Sequence, residues 1–348
     1  MAGPLEPAPL GPPAVPEGPP PPPLTGPPGA SVFTLEGRPA PGLYFGAWGL
    51  AILGLALVFV ALQTELELAG TVLLLGGMLA LDLGFAMAAG YQVLSRRRRL
   101  AHRYRGPSPF LLLAIYALSA TLLVGVVSRV LSLDPESAIT TVFSVAVLQL
   151  SAIITIILFV RRTGVLTWND MGWPRGEQLS LRRALVDAGY AVSVTIPMTM
   201  VAAFAAALIA TLLQLQDSAP PARTSSLDPL SLFVVAVVLA PIGEELFFRG
   251  FALTGWHRDL GRMRALLRTT VVFAVVHIVN VLGTPGDASV GARWALLQFL
   301  VILPVSFVLA WLFQQRGIIA SIAGHAAYNG ILVAISVLAQ QAVPLTPA

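Results

Sequence analysis

The chain has 348 residues, 56% of them hydrophobic and only 11% charged, with a mean hydropathy of +0.80, a balance outside the range of soluble globular domains. Cysteine is absent, which excludes a disulfide framework, thiolate metal ligation and cysteine-nucleophile chemistry. The net charge of +4 rests on 21 arginines and no lysine, a bias pointing to a GC-rich bacterial genome; in a membrane protein such charge reports loop topology, so no nucleic-acid partner is expected.

Residues 1–40 form a compositionally separate region. Pro19 to Pro23 run unbroken among Gly-Pro pairs, and large apolar residues are too few for a core, so a disordered, solvated tail is expected. It lacks the form of a cleavable secretory signal. From residue 41 to 348 a transmembrane helical domain is expected. Apolar runs of spanning length, about 20 residues, fall near 42–62, 68–94, 109–131, 138–160, 187–214, 229–256, 266–282, 293–313 and 317–340. The expected fold is all-α, a polytopic transmembrane bundle of about eight or nine spans by that length criterion.

Within the second run, Gly76-Gly77 and Ala88-Ala89-Gly90 predict close helix packing, and Asp82 is a lone intramembrane acid read as a structural hydrogen-bonding group. The arginines then sort by loop. Arg96 to Arg99, Arg103 and Arg105 follow the second run, Arg161, Arg162, Arg175, Arg182 and Arg183 the fourth, Arg258, Arg262, Arg264 and Arg268 the sixth, and Arg316 the eighth. The intervening loops carry acids and few arginines. The positive-inside rule reads this as N-terminus in the cytoplasm of a bacterial cytoplasmic membrane and C-terminus outside. In the long loop from Arg161 to Leu185, Trp168, Met171 and Trp173 suggest an amphipathic segment lying on the membrane surface.

The later runs carry the informative polar residues. Glu244 and Glu245 stand side by side in Pro241-Ile-Gly-Glu-Glu-Leu-Phe-Phe-Arg249, and ionised groups in hydrocarbon mark functional sites by default. Glu245 and Arg249 are i,i+4 and face one another on a helix, while Glu244 points about 100° away. Two further clusters follow, Phe273 to His277 and His325 to Asn329. At about 1.5 Å per residue from the nearest basic loop, Glu244 lies about 20 Å deep, Arg249 about 12 Å, and His277 and His325 about 14 Å, with Asn329 one turn deeper. Three helices therefore place polar groups in one slab of the membrane, which predicts one working site.

Glu-Glu-x-x-x-Arg, then Phe-x-x-x-His, then His-x-x-x-Asn, each on its own apolar helix and in this order, resembles the CAAX prenyl endopeptidase and bacteriocin-processing family (CPBP, or Abi) of intramembrane proteases. The resemblance covers residues 244–329 and implies a catalytic core within 185–340. It implies that Glu244 matches the catalytic glutamate, Glu245 and Arg249 the rest of the first motif, His277 the second, and His325 and Asn329 the third. The substrate implied is a peptide or membrane protein in the lipid bilayer, prenylated in eukaryotic members.

The residue chemistry is consistent with that role. Peptide hydrolysis needs an activated water, an oxyanion stabiliser and a proton for the leaving amine. Glu244 suits the general base, His277 can orient the water, and His325 with Asn329 can stabilise the oxyanion, while Arg249 keeps Glu245 ionised. No HExxH is present, and metal-free glutamate catalysis is favoured over a zinc site of Glu244, His277 and His325, which stays chemically open. Two other readings compete: a non-catalytic immunity or scaffold relative of the same fold, and a proton-coupled transporter. Intact motifs weigh against the first, and the lack of internal repeats against the second.

Overall fold

The computed structural model describes residues 40–97, 99–135, 137–174, 180–216, 218, 227–282 and 287–342; all of the proline-rich tail except Ala40 lies outside them. Among the described residues nine helices follow in order: α1 (Pro41–Leu62), α2 (Glu67–Ser95), α3 (Pro109–Val130), α4 (Ala138–Arg161), α5 (Leu181–Leu212), α6 (Pro229–Leu260), α7 (Arg262–Leu282), α8 (Ala288–Arg316) and α9 (Ile318–Ala342). Their boundaries have local causes. Prolines open α1, α3 and α6, where a missing N–H costs nothing, and Ser137, Ser180, Asp228 and Asp287 cap α4, α5, α6 and α8 through side-chain oxygens. Gly261 and Gly317, at φ of 80° and 84°, stop α6 and α8 and turn the chain directly into α7 and α9.

Eight of these helices are long and apolar enough to cross a membrane; α7 is the exception. Arg262, Arg264 and Arg268 occupy its first two turns, so its apolar portion is only residues 269–282. It nevertheless runs antiparallel to α8, whose far end it meets through Arg262 Nε donating to Gln314 Oε1 at 3.0 Å. The seventh apolar run, 266–282, is thus a short helix within the bundle and not an independent hydrophobic span.

The basic loops meet at one end of the molecule. Arg103 donates to the Asp259 carbonyl at 2.7 Å, Arg258 pairs with Asp170 at 2.8 Å, and Arg316 pairs with Asp187 at 3.2 Å. The opposite end joins Arg129 to Glu67 at 3.5 Å and Arg293 to the Leu213 carbonyl at 3.0 Å. The exposed Arg129–Glu67 pair stabilises little, but together these contacts establish which loops are neighbours. Cysteines at Ser95 and Thr163 should therefore react with an impermeant thiol reagent from one face of the membrane, and cysteines at Gln63 and Ser132 from the other. Ser95 and Thr163 labelling from different faces would contradict this arrangement.

The loop after α4 departs from the expected surface segment. Met171 is fully buried, Trp168 and Trp173 pack on the same core as Phe247 and Phe251, and the Gly172 carbonyl accepts the N–H of Ile318 at 3.3 Å. Gly172 has φ of 83°, and a Cβ there would meet the Phe313 ring at 2.7 Å, so only glycine lets the loop approach this closely. The tryptophans serve burial at the bundle's end. Burial alone would raise the Asp170 carboxyl, but the Thr167 backbone and hydroxyl and then Arg258 outweigh it and hold the group below the usual carboxylate range.

Helices α1 and α2 form a hairpin on the periphery. A Cβ on Gly54 would lie 2.7 Å from the Gly77 carbonyl, so glycine permits direct backbone contact, as the Gly76-Gly77 pair suggested for one of its two members. Asp82 accepts from Ser119 of α3 at 2.7 Å and so joins α2 to α3, in keeping with a structural reading. Helix α6 occupies the centre, touching α4, α7, α8 and α9. That position decides where the site forms.

Candidate active site

Helix α6 is not a regular α-helix. Two π-helical stretches, Val234–Leu239 and Leu246–Leu253, flank the α-helical turn Ala240–Glu245 that holds both glutamates. Pro241 is a physical reason for the first. It lacks an N–H, and its ring crowds the carbonyl four residues before it, which a wider turn relieves. In the π pattern the Ala236 carbonyl looks five residues on, to Pro241, and finds no donor. Asn329 of α9 supplies one: its Nδ2 donates to the Ala236 carbonyl at 2.7 Å.

The two glutamates occupy different environments, as their spacing predicted. Glu245 is wholly buried; its Oε1 accepts from Arg249 Nη1 at 2.7 Å and from His325 Nδ1 at 2.8 Å, and its Oε2 accepts from the Ser321 hydroxyl. Arg249, also wholly buried, donates through Nη2 to Ser306 Oγ at 3.0 Å and stacks its guanidinium 4.2 Å from the Phe273 ring centroid. A charge buried this deeply requires pairing, and four helices contribute partners here, with Arg249 Nε alone of its nitrogens lacking one among the described residues. Ser306 and Ser321 are the functional residues that motif reasoning missed. Ser321 had a weak signal, lying one helical turn before His325 on the same face; Ser306 had none.

Glu244 turns away from this network. Its Oε2 is buried with no hydrogen-bond partner among the described residues, 3.6 Å from His277 Nε2 and 4.0 Å from His325 Nε2. The tautomers follow from the far side of each ring. His277 Nδ1 lies 2.8 Å from the Phe273 carbonyl, which can only accept, so Nδ1 carries the proton. His325 Nδ1 faces the arginine-paired Glu245 carboxylate and carries its proton for the same reason. In its neutral form each ring therefore aims a bare Nε2 lone pair at a carboxylate oxygen. Three acceptors converge on one point, and that point demands a proton donor or a cation.

All six residues expected at the site are thus placed: Glu244, His277 and His325 around one small volume, Glu245 and Arg249 behind His325, and Asn329 of α9 hydrogen-bonded to the α6 backbone. As placed, among the described residues no three His, Cys, Asp or Glu side chains form a ready metal cluster. Ligand atoms around one tetrahedral zinc lie about 3.3–3.4 Å apart, slightly closer than the separations found here. The donor chemistry fits nonetheless, because each imidazole has its Nδ1 fixed by a carbonyl or carboxylate, as metal-bound histidines do.

A polytopic helical bundle with an acceptor-rich carboxylate and two oriented imidazoles inside the membrane has the makings of a membrane hydrolase site. Residues 226–331, which contain every one of these side chains, match the family model of the type II CAAX prenyl endopeptidase Rce1-like proteins, so over that stretch the chain is similar to that endopeptidase family. The match falls inside the expected core of 185–340. Comparison with curated proteins and with solved structures gives no match.

Proposed function

We propose that this protein is an intramembrane endopeptidase in which Glu244 is the general base. The observation that carries the reading is the buried Glu244 Oε2 without a hydrogen-bond donor, faced by two bare imidazole nitrogens. A water entering that volume donates one proton to Glu244 and the other to an Nε2, which leaves its oxygen lone pairs free for attack on a peptide carbonyl. His277 orients this water. On attack one proton of the water passes to Glu244 and from there to the leaving amine, and the other stays on the attacking oxygen until the product acid gives it up. The oxyanion meets the second N–H of Asn329 and His325 Nε2, which takes a proton from bulk water as the peptide binds and returns it on product release. Glu245 stabilises that imidazolium from behind, much as the aspartate of a serine-protease triad does. Peptides released from membranes should therefore differ between cells carrying the intact protein and cells carrying Glu244→Gln. Identical peptide sets would refute the assignment.

Zinc held by Glu244, His277 and His325 would supply carbonyl polarisation and a bound water with pKa lowered to about 7. The residues already give each proton a carrier, so metal-free catalysis is the reading we adopt. It predicts that purified protein keeps its activity after extended chelation and holds substoichiometric zinc. Loss of activity restored by zinc alone would decide for a metalloprotease. By the positive-inside bias, we place the arginine-rich end in the cytoplasm of a bacterial membrane, so impermeant reagents added to intact cells should reach Gln63 and spare Ser95.

A further inference from the structure

Helix α4 lies outside the residues that match the family model, yet it packs on the glutamate-bearing turn of α6. Its contact there is Gln149. A Cβ built on Gly243, the residue before Glu244, would fall 2.0 Å from Gln149 Oε1 and 2.9 Å from its Cδ, so glycine at 243 makes room for this amide. Gln149 is 7% exposed, and it makes no hydrogen bond to any described residue. Neither amide atom is sealed from open space, so the amide reaches the little surface this residue exposes with its donor and acceptor both unused.

A peptide being cleaved within a membrane must lose its helical hydrogen bonds around the scissile bond, and there is no bulk water there to replace them. Its exposed N–H and C=O groups need partners from the protein. Glu244 and the two bare imidazole nitrogens are acceptors only, and Asn329 already gives one N–H to Ala236. The glutamine amide carries a donor and an acceptor, the same complement as one peptide group. We propose that Gln149 binds the substrate backbone beside the scissile bond, so that α4 joins α6, α7 and α9 as a fourth helix of the site. This rests on the endopeptidase reading above.

The test uses the full chain reconstituted in lipid nanodiscs and a fluorogenic peptide bearing a prenylated cysteine followed by three residues. Gln149→Leu and Gln149→Ala should raise KM roughly tenfold with kcat within about threefold of the parent, the signature of lost uniform binding. Thermal unfolding should be unchanged or improved. Gly243→Ala, whose methyl expels the amide, should raise KM similarly, and the Gly243→Ala/Gln149→Ala double variant should be no worse than either alone. Should Gln149→Leu fail to accumulate, Gln149→Asn, with its amide one methylene short, carries the same expectation. Unchanged KM in these variants, or loss of kcat and thermal stability together, overturns the proposal while leaving the protease reading intact. Failure of the parent protein to cleave the probe overturns that reading, and the role of Gln149 with it.

Discussion

Glu244→Gln should reduce turnover of a peptide substrate by about 10²–10⁴-fold, the usual contribution of a positioned general base, with no loss of thermal stability. The substitution preserves shape and volume. Glu244 Oε2 has no hydrogen-bond partner to forfeit, and the side chain is 21% exposed, so the fold does not depend on its charge. The amide even adds donors where three acceptors now converge. What disappears is the basicity needed to take the water's proton. The measurement is kcat together with the unfolding midpoint in detergent, and a variant that loses both would indicate a structural role instead.

Glu245→Gln should behave in the opposite way, lowering stability by about 3–5 kcal/mol through the wholly buried and now unpaired Arg249. Arg249→Met should lose a comparable amount, because it leaves the carboxylate with only neutral partners. Both variants should also lose activity, since His325 owes its tautomer to the ionised Glu245 beneath it. Removing both charges at once should recover part of the stability and none of the activity. The interaction energy from such a cycle, read by chemical or thermal unfolding, separates the pair's coupling from the cost of stranding one charge. Additive losses would mean that the two groups are solvated independently.

The bundle was legible in the chain because hydrocarbon imposes one requirement over about 20 residues at a time, and arginine marks every second loop. The exception, α7, shows the limit of that signal: Arg264 and Arg268 belong to the helix and shorten its apolar stretch, so only its antiparallel packing on α8 reveals that it lies within the bundle. The site was legible wherever a residue type is expensive in a membrane, which is why Glu244, Glu245, Arg249, His277 and His325 stand out. Their common depth followed from helical rise alone. Residues that are cheap there left little trace. A serine can satisfy its own hydroxyl within a helix, so Ser306 and Ser321 read in the sequence as packing residues, whereas the Ser321 hydroxyl bonds across to Glu245 and the Leu309 carbonyl. Asn329 was readable as polar, but its bond to Ala236 depends on a π-helical register that apolar periodicity does not encode. Trp168 and Trp173 misled for a related reason, since aromatic residues suit an interface and a buried plug equally well.

The central claim is that water attacks the peptide directly, with Glu244 as its base. Purified protein in lipid, present in excess over the peptide and supplied with hydroxylamine, isolates that step in a single turnover, and the mass of the new C-terminus reports the attacking group. The account predicts a free carboxylate from the parent protein and the same product formed at least about 10²-fold more slowly from Glu244→Gln. A hydroxamate product, which requires an acyl intermediate on the protein, or cleavage at an undiminished rate without the Glu244 carboxylate, would contradict it.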